Sequence, residues 1–221
     1  METGVSLGEA IQISLTEPLS RRTERVSIEE ARGRVTAVPL ISKVDDPGFD
    51  NSAMDGFAVR ESDCEKEGAR LEIVGTSQAG GASPPEIGVG QARRIMTGAA
   101  LPSGADAIVM VEDTETDGEY VVINGPARAG FIRRKAENLS LGQEALPSGS
   151  LLSSASIALA GTMGHGEIEV ITRPRIAILS TGDELIQPGQ ELSHGQIYES
   201  NSHALASLVE SMGCEAVRHE S

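Results

Sequence analysis

Four short stretches of this 221-residue chain gather side chains that could do chemistry. The first is DNSAMDGFAV, residues 50–59. It sets Asp50, Asn51, Ser52 and Asp55 around a turn of small residues, then runs into Phe57, Ala58 and Val59. One reading is an ordinary Asp-Gly turn ahead of a strand. The other is a polar loop that presents the Asp55 carboxylate and the Ser52 hydroxyl to a cleft. The second stretch is ILSTGDELIQPG, an apolar run that ends in Ser180, Thr181, Gly182, Asp183 and Glu184. Ligands of open α/β sheets bind at the carboxyl ends of strands. Small hydroxyls, a glycine and two carboxylates placed there suit phosphate oxygens and a hard cation such as Mg²⁺. The plainer reading is that Asp183 and Glu184 only solvate the strand exit.

In IMTGAALPSGADAIVM, Thr97, Gly98 and Ala99 follow a strand-like run. They form either a plain connecting loop or a place where Thr97 and nearby backbone N–H groups meet an anion. FIRRKAENLSLG carries the basic run Arg133, Arg134 and Lys135, which reads equally as a solvated face or as an anion contact. The histidines at 165, 194, 203 and 219 have no metal-ligand spacing and are assigned no role. The loop SQAGGASPPEIGVG lacks the GK[ST] ending of a phosphate loop, and no G-x-S-x-G or HExxH occurs.

These stretches need elements to hold them. SLGEAIQISL reads as a helix, with Leu7, Ala10, Ile11 and Leu15 on one face and Ser6 at its start. SIEEARGRV reads as a second short helix, with Ser27 and Glu30 at capping-box spacing and Gly33 as the stop. From about residue 45 to 140 short strands alternate with Gly-rich turns. The clearest hairpin there is VEDTETDGEYVVI, with Asp117-Gly118 as its tight turn. Beyond residue 141, SSASIALAGTMG suggests a helix and GEIEVITRP a strand. RIAIL reads as a buried strand and SNSHALASLVESMG as a helix capped by Ser200 or Ser202, with Ala204, Leu205, Leu208, Val209 and Met212 sharing a face. CEAVRHES begins a further strand. Strand, helix, strand is the opening unit of a parallel α/β layer, and such a layer needs cover on both faces.

Composition bounds the function. The formal net charge is −15, and no basic patch of the kind nucleic-acid binders carry is present. An anionic ligand would therefore need a metal ion or a local basic site. Two distant cysteines, Cys64 and Cys214, form no CxxC and fit a reducing cytoplasm. The first residues show no signal-peptide pattern, and no apolar run is long enough for a membrane span.

Five segments stand in the order and rough spacing of one family: DNSAMDGFAV, GTSQAGG, IMTGAALPSGADAIVMVE, RPRIAILSTGDELIQPG and GQIYESNSHALASLVESMGCEA. In these the chain resembles the molybdopterin molybdenumtransferases, the MoeA-type enzymes also found as the C-terminal domain of gephyrin. The resemblance implies insertion of molybdate, with tungstate as the alternative oxyanion, into adenylylated molybdopterin, with AMP released and Mg²⁺ required. It assigns the chemistry to Asp55, Thr97 and Glu184, with Asp55, Asp183 and Glu184 as metal ligands. Ser52, Gly98, Asn138, Ser180, Thr181 and Gly182 are the expected substrate contacts.

The fold class it implies is a multi-domain mixture of α/β and β. A helical and extended first region, residues 1–44 with 141–172, would serve linkage and dimerisation. A β-rich domain would be inserted at 45–140, and a three-layer parallel-sheet domain would start at 173–221. The implied assembly is a homodimer, with no nucleic-acid or membrane partner. Two departures stand out. The family's Gly-Glu-Asp after the basic run reads Ala136, Glu137, Asn138 here. The family's later Gly-rich loop, further acids, lysines and C-terminal barrel have no counterpart within 221 residues, so a companion polypeptide carrying that half is expected for turnover. The alternatives are a non-catalytic dimerising module of the same family, and a generic nucleotide-binding α/β protein.

Overall fold

A computed structural model describes residues 4–16 and 22–219. It divides into two compact units: residues 41–145 with 162–164, and the remainder. No helix among the described residues is long and apolar enough to cross a membrane.

The 41–145 unit is built on a six-stranded sheet. Across the sheet the strands run Ala107–Met110, Gly56–Val59, Gln91–Ile95, Ala69–Ser77, Tyr120–Ile123 and Thr114–Asp117. The pairings are antiparallel except between Ala69–Ser77 and Gln91–Ile95, which run parallel. All four residues of Gly56–Val59 are buried. This strand lies between two neighbours, and core lies on both of its faces. Phe57 and Val59 pack with Leu71, Val109, Val121 and Ile123, while Ala58 packs with Ile95, Ala99, Ile108 and Ile132. That explains an uninterrupted apolar run in a mainly antiparallel sheet. The expected hairpin is present, but its two-residue turn is Gly118-Glu119, one position later than Asp117-Gly118. Asp117 pairs across to Tyr120 and holds Arg70 at 3.1 Å; Arg70 in turn stacks 3.9 Å from the Tyr120 ring.

In the other unit, helix α1 (Leu7–Thr16) starts in a reciprocal cap. Ser6 N–H donates to Glu9 Oε2, and Glu9 N–H donates to Ser6 Oγ. Its stripe of Leu7, Ile11 and Leu15 is exposed. Strands Thr23–Ser27 and Glu167–Ile171 pair antiparallel over a core of Ala31, Leu40, Leu152, Ala160, Ile168 and Val170, to which helix α2 (Ser154–Thr162) contributes. The helix expected over residues 27–35 does not form. Ser27 instead ends a strand opposite Glu167, Ile28 N–H donates to Gly166 O, and residues 28–30 are a turn. Tertiary pairing overrides a capping-box pattern whose Ser27–Glu30 side-chain contact nevertheless survives at 3.3 Å.

Strands Arg175–Leu179 and Glu215–His219 pair parallel in full register, connected through helix α3 (Asn201–Ser211). The strand–helix–strand unit is as the sequence indicates, but its burial is not. Only Ile178 of Arg175–Leu179 is buried, and Leu179 is 72% exposed. Among the described residues the two strands pair only with each other. Leu205 and Leu208 of α3 and its C-cap Met212 are likewise exposed.

Candidate functional site

The DNSAMDGFAV loop turns on Gly56. A Cβ there would stand 2.0 Å from the Val109 carbonyl oxygen, because the strand is pressed against Ala107–Met110 at that point. Glycine thus lets the chain enter the sheet at once, and Asp55 sits on its exposed lip. The Thr97 backbone N–H and hydroxyl both donate to Asp55 Oδ1, at 2.7 and 2.8 Å. These bonds, the N–H first, hold the Asp55 carboxyl below its ordinary range, helped by the positive field of Arg94. Asp55 is therefore an oriented carboxylate at neutral pH. Its Oδ2 accepts no hydrogen bond among the described residues.

Two expectations for this loop change. Ser52 is fully buried, and its hydroxyl donates to Met54 O at 2.6 Å rather than facing a cleft. The N–H groups around Thr97 do not wait for an anion. Thr97 donates to Asp55, Gly98 to Ser52 O at 2.8 Å and Ala99 to Met96 O at 2.9 Å. The turn at 96–99 is a device for holding Asp55.

The basic run is also committed to protein partners. Asp50 accepts from Lys135 N–H at 2.8 Å and from Arg134 Nη1 at 2.7 Å, which lowers its pKa. Asp45 accepts from Leu141 N–H and pairs with Lys135 Nζ at 3.1 Å, with the same effect. Glu137 accepts from Arg134 N–H and Arg133 Nε. Asn138 donates its amide to Asp46 Oδ2 at 2.9 Å. The run is exposed, as the solvated-face reading has it, and its charges are taken up in a clasp between residues 45–50 and 133–138. Ala136 inside it has φ +61°, a conformation that favours glycine.

In the second unit, Gly182 adopts φ +157°, and a Cβ on it would stand 2.6 Å from Glu184 Oε2. This glycine lets the Glu184 carboxylate fold back over the turn. Thr181, Asp183 and Glu184 are exposed, and Ser180 is half-buried. The residue that sequence reading missed is Glu199, only 3% exposed. Its carboxylate accepts from the Ser202 hydroxyl, the Ser202 N–H and, at 3.1 Å, the Ser180 hydroxyl. Those bonds, Ser202's first, hold its pKa down at about 2. Ser200 stands at the N-cap position of α3 as expected but makes no side-chain capping bond; the Glu199 carboxylate makes it instead, and the signal was an acid standing three residues before Ser202 at a helix start. A cavity of about 230 Å³ lies beside it, lined by Ser180, Leu185, Ile186, Glu199, Ser202 and Arg218.

The structure thus brings Asp55 and Thr97 into contact, with Ser52 and Gly98 beneath them. Asn138 lies in the clasp of the same unit. Ser180, Thr181, Gly182, Asp183 and Glu184 form a turn in the other unit. Cys64 offers no thiolate: burial first, then Asp63, Asp106 and Glu61, push it up to about 11.

A family model described as "MoeA N-terminal region (domain I and II)" matches residues 5–164. The chain belongs to the MoeA family. It is 42% identical over 200 residues to the molybdopterin molybdenumtransferase of a Nostoc species, a match covering 88% of this chain and 46% of that protein. It is 37% identical over 202 residues to that of Haemophilus influenzae, covering 90% and 50%. A crystal structure of the molybdopterin biosynthesis MoeA protein from Pyrococcus horikoshii superposes with a TM-score of 0.85 at 34% identity, covering 97% of this chain and 56% of that one. The chain spans about half the length of the curated relatives it matches. Its fold is the mixed α/β fold of MoeA proteins, with a β-rich sheet and few helices.

Proposed function

We propose that this chain acts in molybdenum cofactor biosynthesis as the N-terminal half of a molybdopterin molybdenumtransferase. In this reading molybdate, or tungstate in its place, enters the dithiolene of adenylylated molybdopterin and AMP leaves. The observation that carries the reading is the Asp55 carboxylate, fixed through one oxygen by Thr97 and open at the other, within the segment matched by the MoeA model.

Mg²⁺ commonly takes one or two carboxylates, several waters and substrate phosphates. One oriented carboxylate fits that habit, although no cluster of three or more acidic, His or Cys side chains is assembled among the described residues. Asp55 would hold the ion, and Asp183 and Glu184 are likewise proposed as metal ligands. A bound Mg²⁺ supplies Lewis-acid polarisation and neutralises repulsion between phosphate and oxyanion. Thr97 keeps Asp55 charged and aimed. Ser52 and Gly98 act by holding backbone and Asn138 by holding the Asp46 carboxylate, whereas Ser180, Thr181 and Gly182 face the substrate. We infer a homodimer with residues 1–44 and 141–172 as its base, 45–140 as an insert and 173–221 opening the α/β domain, completed by the C-terminal half in the same or a companion chain. Two free cysteines accord with a reducing cytoplasm.

The test supplies the chain with a polypeptide carrying the second half of the relatives' length, adenylylated molybdopterin, molybdate and Mg²⁺. AMP release is expected, falling by about a hundredfold or more with Asp55→Ala or with Glu184→Ala. Full turnover in the double variant would falsify the site assignment. One observation favours a second reading, a non-catalytic dimerising module. Asn138 donates a neutral amide to Asp46 where the family resemblance puts a carboxylate. A sedimenting dimer that releases no AMP with the second half present would decide for it.

A further inference from the structure

Seven arginines lie in the 41–145 unit, and six have an evident structural partner. Arg60 pairs with Asp63, Arg70 with Asp117, Arg133 with Glu137 and Arg134 with Asp50. Arg93 bonds Ser77, Val74 and Thr76, and Arg128 stacks on Phe131. Arg94 is exposed, and its side chain makes no hydrogen bond, ion pair or ring contact among the described residues. Its place is set by register. Phe57 faces Arg94 and Gly56 faces Ile95, so continuing by one residue sets Asp55 opposite Met96. Arg94 is then the diagonal neighbour of Asp55 on the same face of the sheet, a spacing of roughly 7–8 Å that long side chains bridge. Its guanidinium acts on the Asp55 carboxylate electrostatically without pairing with it.

The result is an oriented carboxylate and an uncommitted guanidinium side by side at a sheet end, each with its bonding face open. A guanidinium is a planar fork of five N–H donors matched to the oxygens of a phosphate or similar anion. In a chain of net charge −15, an anion approaching this lip needs local positive charge to meet it. The other basic groups of the nearby clasp are occupied by Asp45, Asp50 and Glu137.

We propose that Arg94 is the anion contact of this site: it takes a tetrahedral oxyanion, presented next to the cation that Asp55 holds. The proposal deepens the molybdenumtransferase reading and rests on it. The shared chemistry is a tetrahedral oxyanion. It has two sources in that reaction, the free molybdate and the phosphate of the adenylylated substrate.

The experiment uses the 221-residue chain, with three variants: Arg94→Gln, Arg94→Lys and Asp55→Asn. The Arg94 Nε–H resonance, assigned by its loss in Arg94→Lys, is followed by ¹H–¹⁵N NMR during titrations with sodium molybdate and with AMP in Mg²⁺ buffer. Mn²⁺ binding is measured in parallel by relaxation enhancement of water. Saturable movement of the Arg94 resonance is expected with one or both anions, and the tighter one names the source. Anion affinity measured calorimetrically should fall roughly tenfold in Arg94→Gln and less in Arg94→Lys. Mn²⁺ binding should survive in Arg94→Gln and fail in Asp55→Asn. An Arg94→Gln protein that binds both anions like the parent overturns the proposal and leaves the metal reading standing. Loss of Mn²⁺ binding to the parent chain itself would remove the reading beneath it. An Arg94 resonance that neither anion moves also overturns the proposal.

Discussion

Two apolar strands of similar composition meet opposite fates in this molecule. Gly56–Val59 is buried throughout, whereas Arg175–Leu179 is buried at Ile178 alone. Val and Ile side chains do not decide this; neighbours do. Among the described residues the first strand has a partner on each edge and core on both faces, and the second has one partner strand and one helix. The 41–145 unit therefore carries its own core, while the parallel pair is a layer that leaves Ile176, Ala177 and Leu179 on the surface.

The largest expected effect is on the closed side of that comparison. Phe57→Ala should destabilise by about 3–5 kcal/mol, read as a fall in the urea midpoint, because Phe57 is 1% exposed in a packed cluster. Little change would mean that the cluster is not the core. Gly56→Ala should cost about 1–3 kcal/mol, since the new methyl meets the Val109 backbone rather than a yielding side chain. It should also displace Asp55, so Mn²⁺ affinity should fall together with the melting temperature.

The open side is probed through Glu199. Its pKa is lowered in the folded chain, so its stabilising contribution is complete above the ordinary value of 4.5 and is lost as pH falls toward about 2. Acid unfolding, followed by α3 helicity, should begin in this window, and Glu199→Gln should flatten that part of the profile. Ala136→Gly should stabilise by about 1 kcal/mol through relief of the positive φ, less what glycine adds to unfolded-chain entropy. Smallest of all, Leu208→Ser on the exposed face of α3 should change stability by no more than about 0.5 kcal/mol. A larger loss would show that this face is covered in solution.

The same contrast explains what could be read from the letters. The hairpin at 114–123 was legible because local turn chemistry dictates it, though its turn sits one residue late. The parallel unit and α3 were legible from period and from Gly213. The 27–35 stretch misled because its capping pattern is local, while bonds from Ile28 to Gly166 and from Gly33 to Leu152 leave only single turns between them. Asp55 and Thr97 were legible as polar loop residues. That Thr97 donates twice to Asp55, while the N–H groups of Gly98 and Ala99 turn inward, depends on a contact across 42 positions. Glu199 escaped notice because a glutamate before a helix ordinarily stays in water, and only the fold shows it dry and triply bonded.

The clasp between Asp50 and Arg134 joins positions 84 apart in the chain, and that between Asp45 and Leu141 positions 96 apart. A nascent chain leaving the ribosome cannot fasten either until nearly the whole unit has emerged. Contacts of such long range are slow to form and leave strand edges uncovered meanwhile. The clasp is then a late stitch of biosynthesis for this unit, closed only after all six strands of its sheet have been made.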